Sequence, residues 1–485
     1  MRKELIFLTS LLLISLLGYG CNNTKEQHIY IITTNDIHAS IDAMPKLATI
    51  VAECSERGEV IVVDSGDRVS GNAYVDDAEE PGVPIIELMN DIGYSVATLG
   101  NHEFDKGSEV LDRMISSASF PIVCANVTAT NGATTPPPYT ILEVCGVEFG
   151  FVGVVDTDSN GRPLGGERAY TNYSFSPDIE AAYEVCAKVS QECDMVILLS
   201  HMGLDRDKQL ATLAPKCAWI AGGHSHDLVN ENLNSVHISQ NNKNLRYVTV
   251  ADVTVKGREI IDIKYEQINT ADISPNEAMQ RRVAEIKSLD PGLNEVVAQA
   301  IESATKEGVS NFTIAALANY PYEDGFKPEI TLYHYGGIRL DSFNKGDIKR
   351  VEILNNDPFM SYIYTGEMTP AQLRDFILRK YNSGTPEKPD KESHYAYFRS
   401  DMPYTIIVGE DGDATDIVFN LEERPYRIAM CNYIAENYID SNIVATQLQP
   451  TNVSVREAML HYISSFKESG FTPDNKCYQQ EEKAK

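Results

Sequence analysis

Short apolar runs recur through the first half of the chain, and most are followed by a polar loop and then by a stretch with helical spacing. Val83–Ile92 shows this spacing clearly, with apolar residues three and four positions apart. Such an alternation of strands and helices predicts a layered α/β domain. The predicted strands cover residues 29–33, 60–63, 95–99, 148–154, 195–199 and 218–221, with closing strands over 245–267.

The second half of the chain has a different pattern. Residues 274–300 are charged and are predicted to form a helix, interrupted at Pro291-Gly292, that bridges two domains. Thr369 to Gln372 then forms a capping box with Pro370 at the first helical position. The other predicted elements are the helix from this cap to Lys380, strands at 405–408 and 426–432, a helix from Ser454 to Phe466, a polar loop at 383–392 and ten disordered C-terminal residues.

Residues 1–20 have the composition of an export signal. Arg2 and Lys3 precede an apolar core at 5–17, which is too short to span a membrane securely. The small residues Gly18 and Gly20 flank Tyr19 just before Cys21. This arrangement resembles a bacterial lipoprotein cleavage site, after which Cys21 becomes the lipidated N-terminus. The sequence thus predicts an exported protein anchored to the cell envelope, at its periplasmic face or the cell surface. A plain signal peptide and an uncleaved anchor are the alternatives.

The net charge limits the possible partners. The 485 residues carry a formal charge of −29, whereas nucleic-acid binding calls for a basic surface. Nucleic acid is therefore excluded as a partner. The same charge repels phosphate esters at long range, so a phosphate-binding site would need bound cations to reverse the local field.

Metal-binding side chains follow the predicted strands of the first domain. Five of the ten histidines lie in these few loops. The candidate residues are Asp36, His38, Asp67, Asn101, His102, Asp105, His201, His224 and His226. Nitrogen and oxygen donors without thiolate suit Zn, Mn, Co or Fe, and this number of donors exceeds what one ion takes. Two divalent ions are predicted, and such a pair can clamp a phosphoryl group and activate water.

The same loops carry a family resemblance. NDIH, GD, GNHEFD, SH and GGHSH, in this order, look like the calcineurin-like metallophosphoesterase superfamily. The longer run GVPIIELMNDIGYSVATLGNHEFDKG is similar to secreted bacterial and animal 5′-nucleotidases. The resemblance implies a layered β-sandwich flanked by helices, a bridging helix and a smaller α+β domain. The expected boundaries are 1–20 signal, 21–27 tether, 28–270 metallophosphoesterase domain, 271–300 bridge, 301–470 substrate-binding domain and 471–485 tail.

The resemblance also implies roles for the candidate residues. One metal site would use Asp36, His38, Asp67 and His226, and the other Asp67, Asn101, His201 and His224, with Asp67 as the bridge. His102, oriented by Asp105, would stabilise the transferring phosphoryl group or protonate the leaving oxygen.

The substrate-binding side of the resemblance is less complete. In TLYHYGGIR, Gly336 and Gly337 would form a turn that presents Arg339, and Phe398 and Tyr433 would stack on a nucleobase. His334 stands where the family usually has Asn, and Met360-Ser361 replaces Gly-Asn after Phe359. The usual Gly-Gly-Asp-Gly loop is replaced by Asn437 to Asp440.

The predicted function is hydrolysis of nucleotide phosphate monoesters by attack of a metal-activated water. The same chemistry on another phosphate ester, such as a 2′,3′-cyclic nucleotide or a nucleotide sugar, is one alternative. A lipoprotein that binds nucleotides without turnover is another. In each case the partner is a small nucleotide or phosphate ester.

Overall fold

The structure is a computed structural model that describes residues 25–158, 161–163, 165, 167–383, 398–437 and 447–483. The predicted signal, Cys21, most of the loop at 383–392 and residues 438–440 lie outside these ranges. Numbered in chain order, the α-helices are α1 Met44–Ser55, α2 Ala73–Asp76, α3 Val83–Ile92, α4 Ser108–Ser117, α5 Asp178–Val189, α6 Leu204–Thr212, α7 Glu277–Leu289, α8 Lys306–Asn319, α9 Arg350–Asn356, α10 Pro370–Ser383, α11 Asn432–Asn437 and α12 Val455–Ser464.

Among the described residues, two large sheets and a two-stranded one lie in the first half of the chain, and three smaller sheets lie in the second. These sheets are formed by 24 strands. They are β1 Glu26–Thr34, β2 Glu59–Asp64, β3 Tyr94–Thr98, β4 Ile122–Val123, β5 Val127–Ala129, β6 Tyr139–Val144, β7 Val147–Val155, β8 Tyr173–Phe175, β9 Met195–His201, β10 Trp219–Ala221, β11 Leu228–Leu233, β12 Val236–Asn241, β13 Tyr247–Lys256, β14 Glu259–Asn269, β15 Val296–Ala300, β16 Ile330–His334, β17 Gly346–Lys349, β18 Tyr362–Met368, β19 Phe398–Ser400, β20 Tyr404–Val408, β21 Ala414–Val418, β22 Tyr426–Cys431, β23 Leu448–Ser454 and β24 Gln479–Lys483.

Two six-stranded sheets form a sandwich in the first half. Their strand orders are β14-β13-β1-β2-β3-β4 and β11-β12-β10-β9-β7-β6. Along β1 the side chains alternate: Ile29 and Ile31 enter the core between the sheets, while Tyr30 and Ile32 enter a second core shared with α1, α3 and α4. The second sheet is covered in turn by α5 and α6. The predicted layered α/β sandwich flanked by helices is therefore confirmed.

Parallel pairing brings the carboxyl ends of the central strands to one edge. In the first sheet β1, β2 and β3 are parallel neighbours. In the second sheet β7, β9 and β10 are parallel as well. Open α/β sheets place ligands at such edges, because the loops that leave parallel strands converge there.

The helix α7 packs on the first half of the chain. Met279, Val283 and Ile286 are buried in the core beneath the first sheet, and the Arg282 guanidinium bonds Glu87 on α3. The predicted interruption at Pro291-Gly292 is present as a turn at Pro291–Asn294, but the helix predicted after it, up to residue 300, is wrong, since β15 pairs there with β17. Val297, Ala298 and Ala300 of β15 are buried, while Val296 and Gln299 are exposed.

The second half folds around a five-stranded sheet of order β19-β16-β22-β18-β23 and a three-stranded sheet of order β21-β20-β24. The predicted cap of α10 is present, because Thr369 N donates to Gln372 Oε1 at 2.8 Å and Gln372 N donates to Thr369 Oγ1 at 3.3 Å. The prediction of a disordered C-terminus is wrong for β24, which lies parallel to β20. Among the described helices, none is both long and apolar enough to cross a membrane.

The two halves of the chain are joined by a nearly buried ion pair. Arg456 on α12 donates from Nη1 to Asp77 Oδ2 at 2.6 Å and from Nε to the Asp357 carbonyl at 2.6 Å. Nearby, Ala73 N donates to Asn355 Oδ1 at 2.8 Å. These contacts hold the segment around Asp357 against the first domain.

Replacing Arg456 with methionine should destabilise the protein. The side chains of Arg456 and Asp77 are 7% and 24% exposed, so the substitution leaves a largely buried carboxylate without its nearest cation. The expected cost is about 3 kcal/mol, at the lower end for breaking a buried pair, measured by urea unfolding. Arg379→Met is the matched control, since the Arg379–Asp375 pair is more than half exposed. An Arg456→Met midpoint equal to that of the control would contradict the prediction.

Candidate active site

The predicted metal-binding residues lie together at the edge where the parallel strands end. Asp36 and His38 follow β1, Asp67 follows β2, and Asn101 follows β3. His201 ends β9, and His224 and His226 follow β10. Both sheets of the sandwich therefore contribute to one cluster.

The backbone at this cluster is unusual. Asp36, His38, Asp67, His224 and His226 have φ between 45° and 77°, in the left-handed region. Residues without glycine's freedom pay roughly 1–3 kcal/mol each for such conformations, and these persist where the surroundings impose them, commonly at functional sites. The strain turns the side chains toward one another at the ends of their strands.

Asp36, His38 and His226 form the first group of converging donors. The Nε2 atoms of His38 and His226 are 3.1 Å apart, and His226 Nε2 is 3.3 Å from Asp36 Oδ1. Asp36 is anchored behind them, because His224 N donates to its Oδ2 at 3.0 Å. This is the spacing of atoms that share one cation.

The second group contains Asp67, Asn101, His201 and His224. His201 Nε2 is 3.1 Å from Asp67 Oδ2, and His224 Nδ1 is 3.0 Å from Asn101 Oδ1. Asp67 groups within 4.8 Å both with His38 and with His201 and His224, so it lies between the two groups. Gly100 permits this approach, because a Cβ there would lie 2.2 Å from Asp67 Oδ1.

The donors fit a metal ion in their hydrogen bonding as well. His201 Nδ1 is 2.7 Å from the Ser65 carbonyl, which can only accept, so Nδ1 carries the hydrogen. His201 Nε2 is buried and has no hydrogen-bond partner. Burial lowers the pKa of His201, but Asp67 outweighs it and raises the pKa to about 10, so Nε2 carries a proton that faces Asp67 Oδ2 at 3.1 Å. A metal ion would take the place of this proton, with the carbonyl holding the other ring nitrogen, as is common around protein-bound metals.

The charges at the cluster also favour cations. Burial opposes ionisation of Asp36, but His226 outweighs it and holds the pKa of Asp36 below its ordinary value. Burial likewise opposes ionisation of Asp67, yet His201 holds its pKa well below the usual range. Burial lowers the pKa of His38 well below its ordinary value. Ionised carboxylates and neutral imidazoles are the forms that bind metal.

His102 faces the same centre from the loop after β3. Its Nδ1 is 2.7 Å from Asp105 Oδ2, which also accepts from Ser70 Oγ at 2.8 Å. This leaves Nε2 directed inward, 3.8 Å from Asp67 Oδ2. Burial lowers the pKa of His102, but Asp67 and Asp105 outweigh it and raise the pKa to about 9. In the metal-free protein His102 thus carries a proton beside the centre.

Arg339 approaches from the second half of the chain. Within the described residues its side chain makes no ion pair or hydrogen bond, and its Nε is buried without a partner. The guanidinium lies over the Phe359 ring at 4.8 Å, and that ring stacks on His102 with centroids 5.4 Å apart. An unpaired cation in so acidic a chain is well placed to bind an anion.

The other predicted substrate residues divide into two groups. Gly337 lies beneath His334, where a Cβ would be 2.1 Å from its Nε2, and Gly336 precedes it in the same turn. Tyr433 stacks on His334 with centroids 4.5 Å apart. Phe398, by contrast, is fully buried and stacked on Phe376 at 4.6 Å.

Phe398 therefore offers no open ring face, and the prediction that it stacks on a ligand needs correction. Phe359 is the aromatic residue that the structure places beside His102 and Arg339. Sequence reasoning assigned it no role, although the segment Asp357 to Phe359 matches a recurrent stretch of the family. The match of that segment to the family could have pointed to Phe359.

Comparisons with known proteins agree with this geometry. Residues 29–228 match the family model for calcineurin-like phosphoesterases, and residues 277–440 match the model for the 5′-nucleotidase C-terminal domain. The chain is 26% identical over 468 residues to the trifunctional nucleotide phosphoesterase protein YfkN of Bacillus subtilis, covering 83% of this chain and 31% of the relative. It is 22% identical over 549 residues to protein UshA of Escherichia coli, covering 93% of this chain and 97% of the relative.

A solved structure extends the comparison to the fold. The 5′-nucleotidase precursor from Thermus thermophilus superposes with a TM-score of 0.77 at 18% identity, covering 94% of this chain and 99% of that one. The chain spans between about a third and two fifths of the length of the first curated relatives it matches.

Calcineurin-like metallophosphoesterases use two divalent metal ions, and the donors gathered at the strand ends of this domain form candidate groups for holding them. Here that domain is followed by a 5′-nucleotidase C-terminal domain, and the two matches cover well over half of the chain. The chain thus combines a calcineurin-like phosphoesterase domain with a 5′-nucleotidase C-terminal domain.

Proposed function

We propose that this chain is a two-metal phosphohydrolase that hydrolyses phosphate monoesters of nucleotides. One observation carries the proposal: an imidazole oriented by Asp105 and the unpaired Arg339 face the same cluster of metal-binding donors. A metal site that served structure alone would need neither a protonated imidazole nor a free guanidinium at its open side.

Each proposed metal site has four protein ligands. One ion would be held by Asp36, His38, Asp67 and His226, and the other by Asp67, Asn101, His201 and His224, with Asp67 bridging. At these residues bound ions, whether Zn, Mn, Co or Fe, would supply the positive charge that holds a phosphoryl group and lowers the pKa of a water molecule toward neutrality.

His102 and Arg339 act on the substrate from the open side. Because Asp105 holds Nδ1, the proton on His102 Nε2 points at the centre. From there it donates to a phosphoryl oxygen, whose charge grows in the transition state, or to the leaving oxygen. The Arg339 fork binds an anionic oxygen of the ester. Phe359 covers His102 and excludes water from one side.

A nucleotide is the substrate that best suits the second domain. Several relatives are described as 5′-nucleotidases, and one as a nucleotide phosphoesterase. Phe359 and Tyr433 are partly exposed aromatic residues, and stacking of a base on such a ring contributes about 1–3 kcal/mol per base.

The same chemistry on another phosphate ester is the second candidate. His334 stacks on Tyr433 and so occupies one face of its ring. A 2′,3′-cyclic nucleotide or a nucleotide sugar would place its base differently from a 5′-nucleotide. A purely binding role is disfavoured, because the complete donor set and the His102–Asp105 pair are those of a hydrolase.

We also propose that the mature protein is exported and held at a membrane by a lipid on Cys21. The support is the N-terminal pattern of Arg2 and Lys3, an apolar core and small residues before Cys21. A structural relative described as a precursor is consistent with processing.

Turnover on a substrate panel tests the proposed function. Protein stripped of metal and reloaded with a single defined ion is assayed on 5′-nucleotides, 2′,3′-cyclic nucleotides, nucleotide sugars and p-nitrophenyl phosphate. We expect metal-dependent phosphate release, with 5′-nucleotides giving the highest kcat/KM. Release from p-nitrophenyl phosphate alone would support the assignment to hydrolases but overturn the nucleotide assignment. No release from any ester would overturn both.

Arg339→Met should weaken substrate binding without removing metal. A charge-assisted hydrogen bond contributes about 1.5–3 kcal/mol, so KM should rise about 10-fold to 100-fold. Steady-state kinetics and metal analysis measure the two effects. Arg424→Met is the control, because Arg424 also lies over an aromatic ring, Tyr426, but pairs with Glu329. An unchanged KM in Arg339→Met would contradict the assignment.

A further inference from the structure

Three buried charged residues lie beneath the metal-binding loops and have no place in the mechanism above. Asp64 and Arg68 are fully buried, and Glu103 is 1% exposed. Burying charges in a low-dielectric interior costs several kcal/mol per ion unless each is paired. Such a group right behind an active site calls for a reason beyond packing.

Glu103 accepts hydrogen bonds from three backbone N–H groups. Its Oε2 accepts from Asp67 N at 2.9 Å and Gly100 N at 2.6 Å, and its Oε1 accepts from Arg68 N at 2.9 Å. Both oxygens are therefore used as acceptors. The donors belong to the two loops that follow β2 and β3, so one carboxylate links these loops.

The loop after β3 also donates a hydrogen bond to Asp67, in the direction opposite to the bonds that Glu103 accepts. His102 N donates to Asp67 Oδ1 at 2.9 Å, while Glu103, the next residue, accepts from Asp67 N. The Asp67 backbone is at φ 56°, a conformation that needs support from its surroundings. The reciprocal bonds fix both the backbone and the carboxylate of the residue placed between the two metal sites.

Arg68 extends the connection to three strands. Its Nε and Nη2 lie 3.1 Å and 3.0 Å from Asp64 Oδ2 at the end of β2, and Nη2 also donates to the Thr98 carbonyl at the end of β3. Thr34, which ends β1, donates from Oγ1 to Asp64 Oδ1 at 2.9 Å. The guanidinium also places positive charge beside two buried carboxylates.

We propose that Glu103 and Arg68 are positioning residues that fix Asp67 and the ends of β1, β2 and β3 for metal binding. This inference rests on the proposed metal centre, because it assigns these side chains a purpose only if ions bind there. Glu103 and Arg68 would act through Asp67 and touch neither ion nor substrate. Their loss should therefore appear first in metal affinity.

Glu103→Gln tests the role of the carboxylate. The amide keeps the shape but puts an NH₂ group where one oxygen accepted an N–H, so at least one backbone bond is lost. We expect metal affinity, measured by calorimetry on the metal-free protein, to fall about 10-fold to 100-fold, as for other residues that orient metal ligands. Activity should recover in part at higher metal concentration.

Asp178→Asn is the matched control for this variant. Asp178 is fully buried and accepts from Thr157 N at 3.0 Å and Ile179 N at 2.6 Å. It should lose thermal stability as Glu103→Gln does and keep its metal affinity. Equal metal affinity in Glu103→Gln and wild type would overturn the inference. A wild-type protein that binds no divalent ion would instead overturn the metal centre itself.

Arg68→Lys provides a second test and decides the matter if Glu103→Gln does not fold. Lysine keeps the charge but loses the fork that joins Asp64 to Thr98. We expect a loss of metal affinity of at least about 10-fold. Arg399→Lys is the control, because Arg399 is 2% exposed and bonds Glu307 in the second domain. Wild-type metal affinity in a folded Arg68→Lys protein would overturn the inference.

Discussion

Asp67→Ala should lose both metal ions and, with them, hydrolysis of any phosphate ester. Asp67 lies within reach of both donor groups, so its removal takes one ligand from each proposed site. The loss of turnover should exceed the roughly 10³-fold that follows removal of one transition-state donor in other enzymes. Metal analysis and turnover of p-nitrophenyl phosphate measure the two losses together.

A control separates this effect from misfolding. Asp252→Ala removes another acidic residue of the first domain, one that pairs with His28 at 2.7 Å at the far end of β1. It should keep two ions and its activity. The two-metal assignment would be refuted by an Asp67→Ala protein that turns over substrate at the wild-type rate.

His102→Ala should lower kcat while leaving the metal ions in place. His102 is 3.8 Å from Asp67 Oδ2 through its Nε2 and belongs to neither proposed ligand set. General acid–base catalysis contributes about 10²-fold to 10⁴-fold, and kcat should fall by an amount in this range. Steady-state kinetics at saturating metal, with metal analysis of the same sample, gives both values.

A variant of Asp105, the hydrogen-bond partner of His102, provides a comparison for His102→Ala. Asp105→Asn keeps the imidazole but removes the charge that orients it, so kcat should fall less than in His102→Ala. Loss of metal from His102→Ala would show that the residue is a ligand, and a full kcat would show that it takes no part. Either result would contradict the assigned role.

The sandwich and the clustering of its ligands could be predicted because both follow from local rules. Apolar runs marked six strands of the sandwich to within a few residues: β1, for example, was predicted at 29–33 and spans Glu26–Thr34. The strands β4, β6, β11 and β12 were not predicted. Parallel neighbours then bring their ends to one edge, so Asp36 and Asn101 had to come close if the strand order was right. His201 joins them because the second sheet packs on the first, which pairing within a sheet does not predict. The chemical roles of these residues stay predictions.

The second domain was harder to anticipate, because its decisive contacts join distant parts of the chain. Nothing near Phe398 shows that Phe376 covers it, and nothing near Phe359 shows that it reaches His102, more than 250 positions away. The strand β24 was not predicted for the same reason, because its polar residues form a strand by pairing with β20, which is distant in the sequence. Arg68 offered no pattern, because a single arginine in a loop is usually exposed.

The candidate donors of this centre lie where strands of both sheets end. Three of these strand ends belong to one sheet and two to the other. No ion can be fully coordinated until the sheets have packed, so loading must be a late event in maturation. A polypeptide threaded unfolded through a translocation channel would arrive empty and acquire its ions on the far side. The ions available in that compartment, as much as the coordinating atoms, would then decide which metals this enzyme carries.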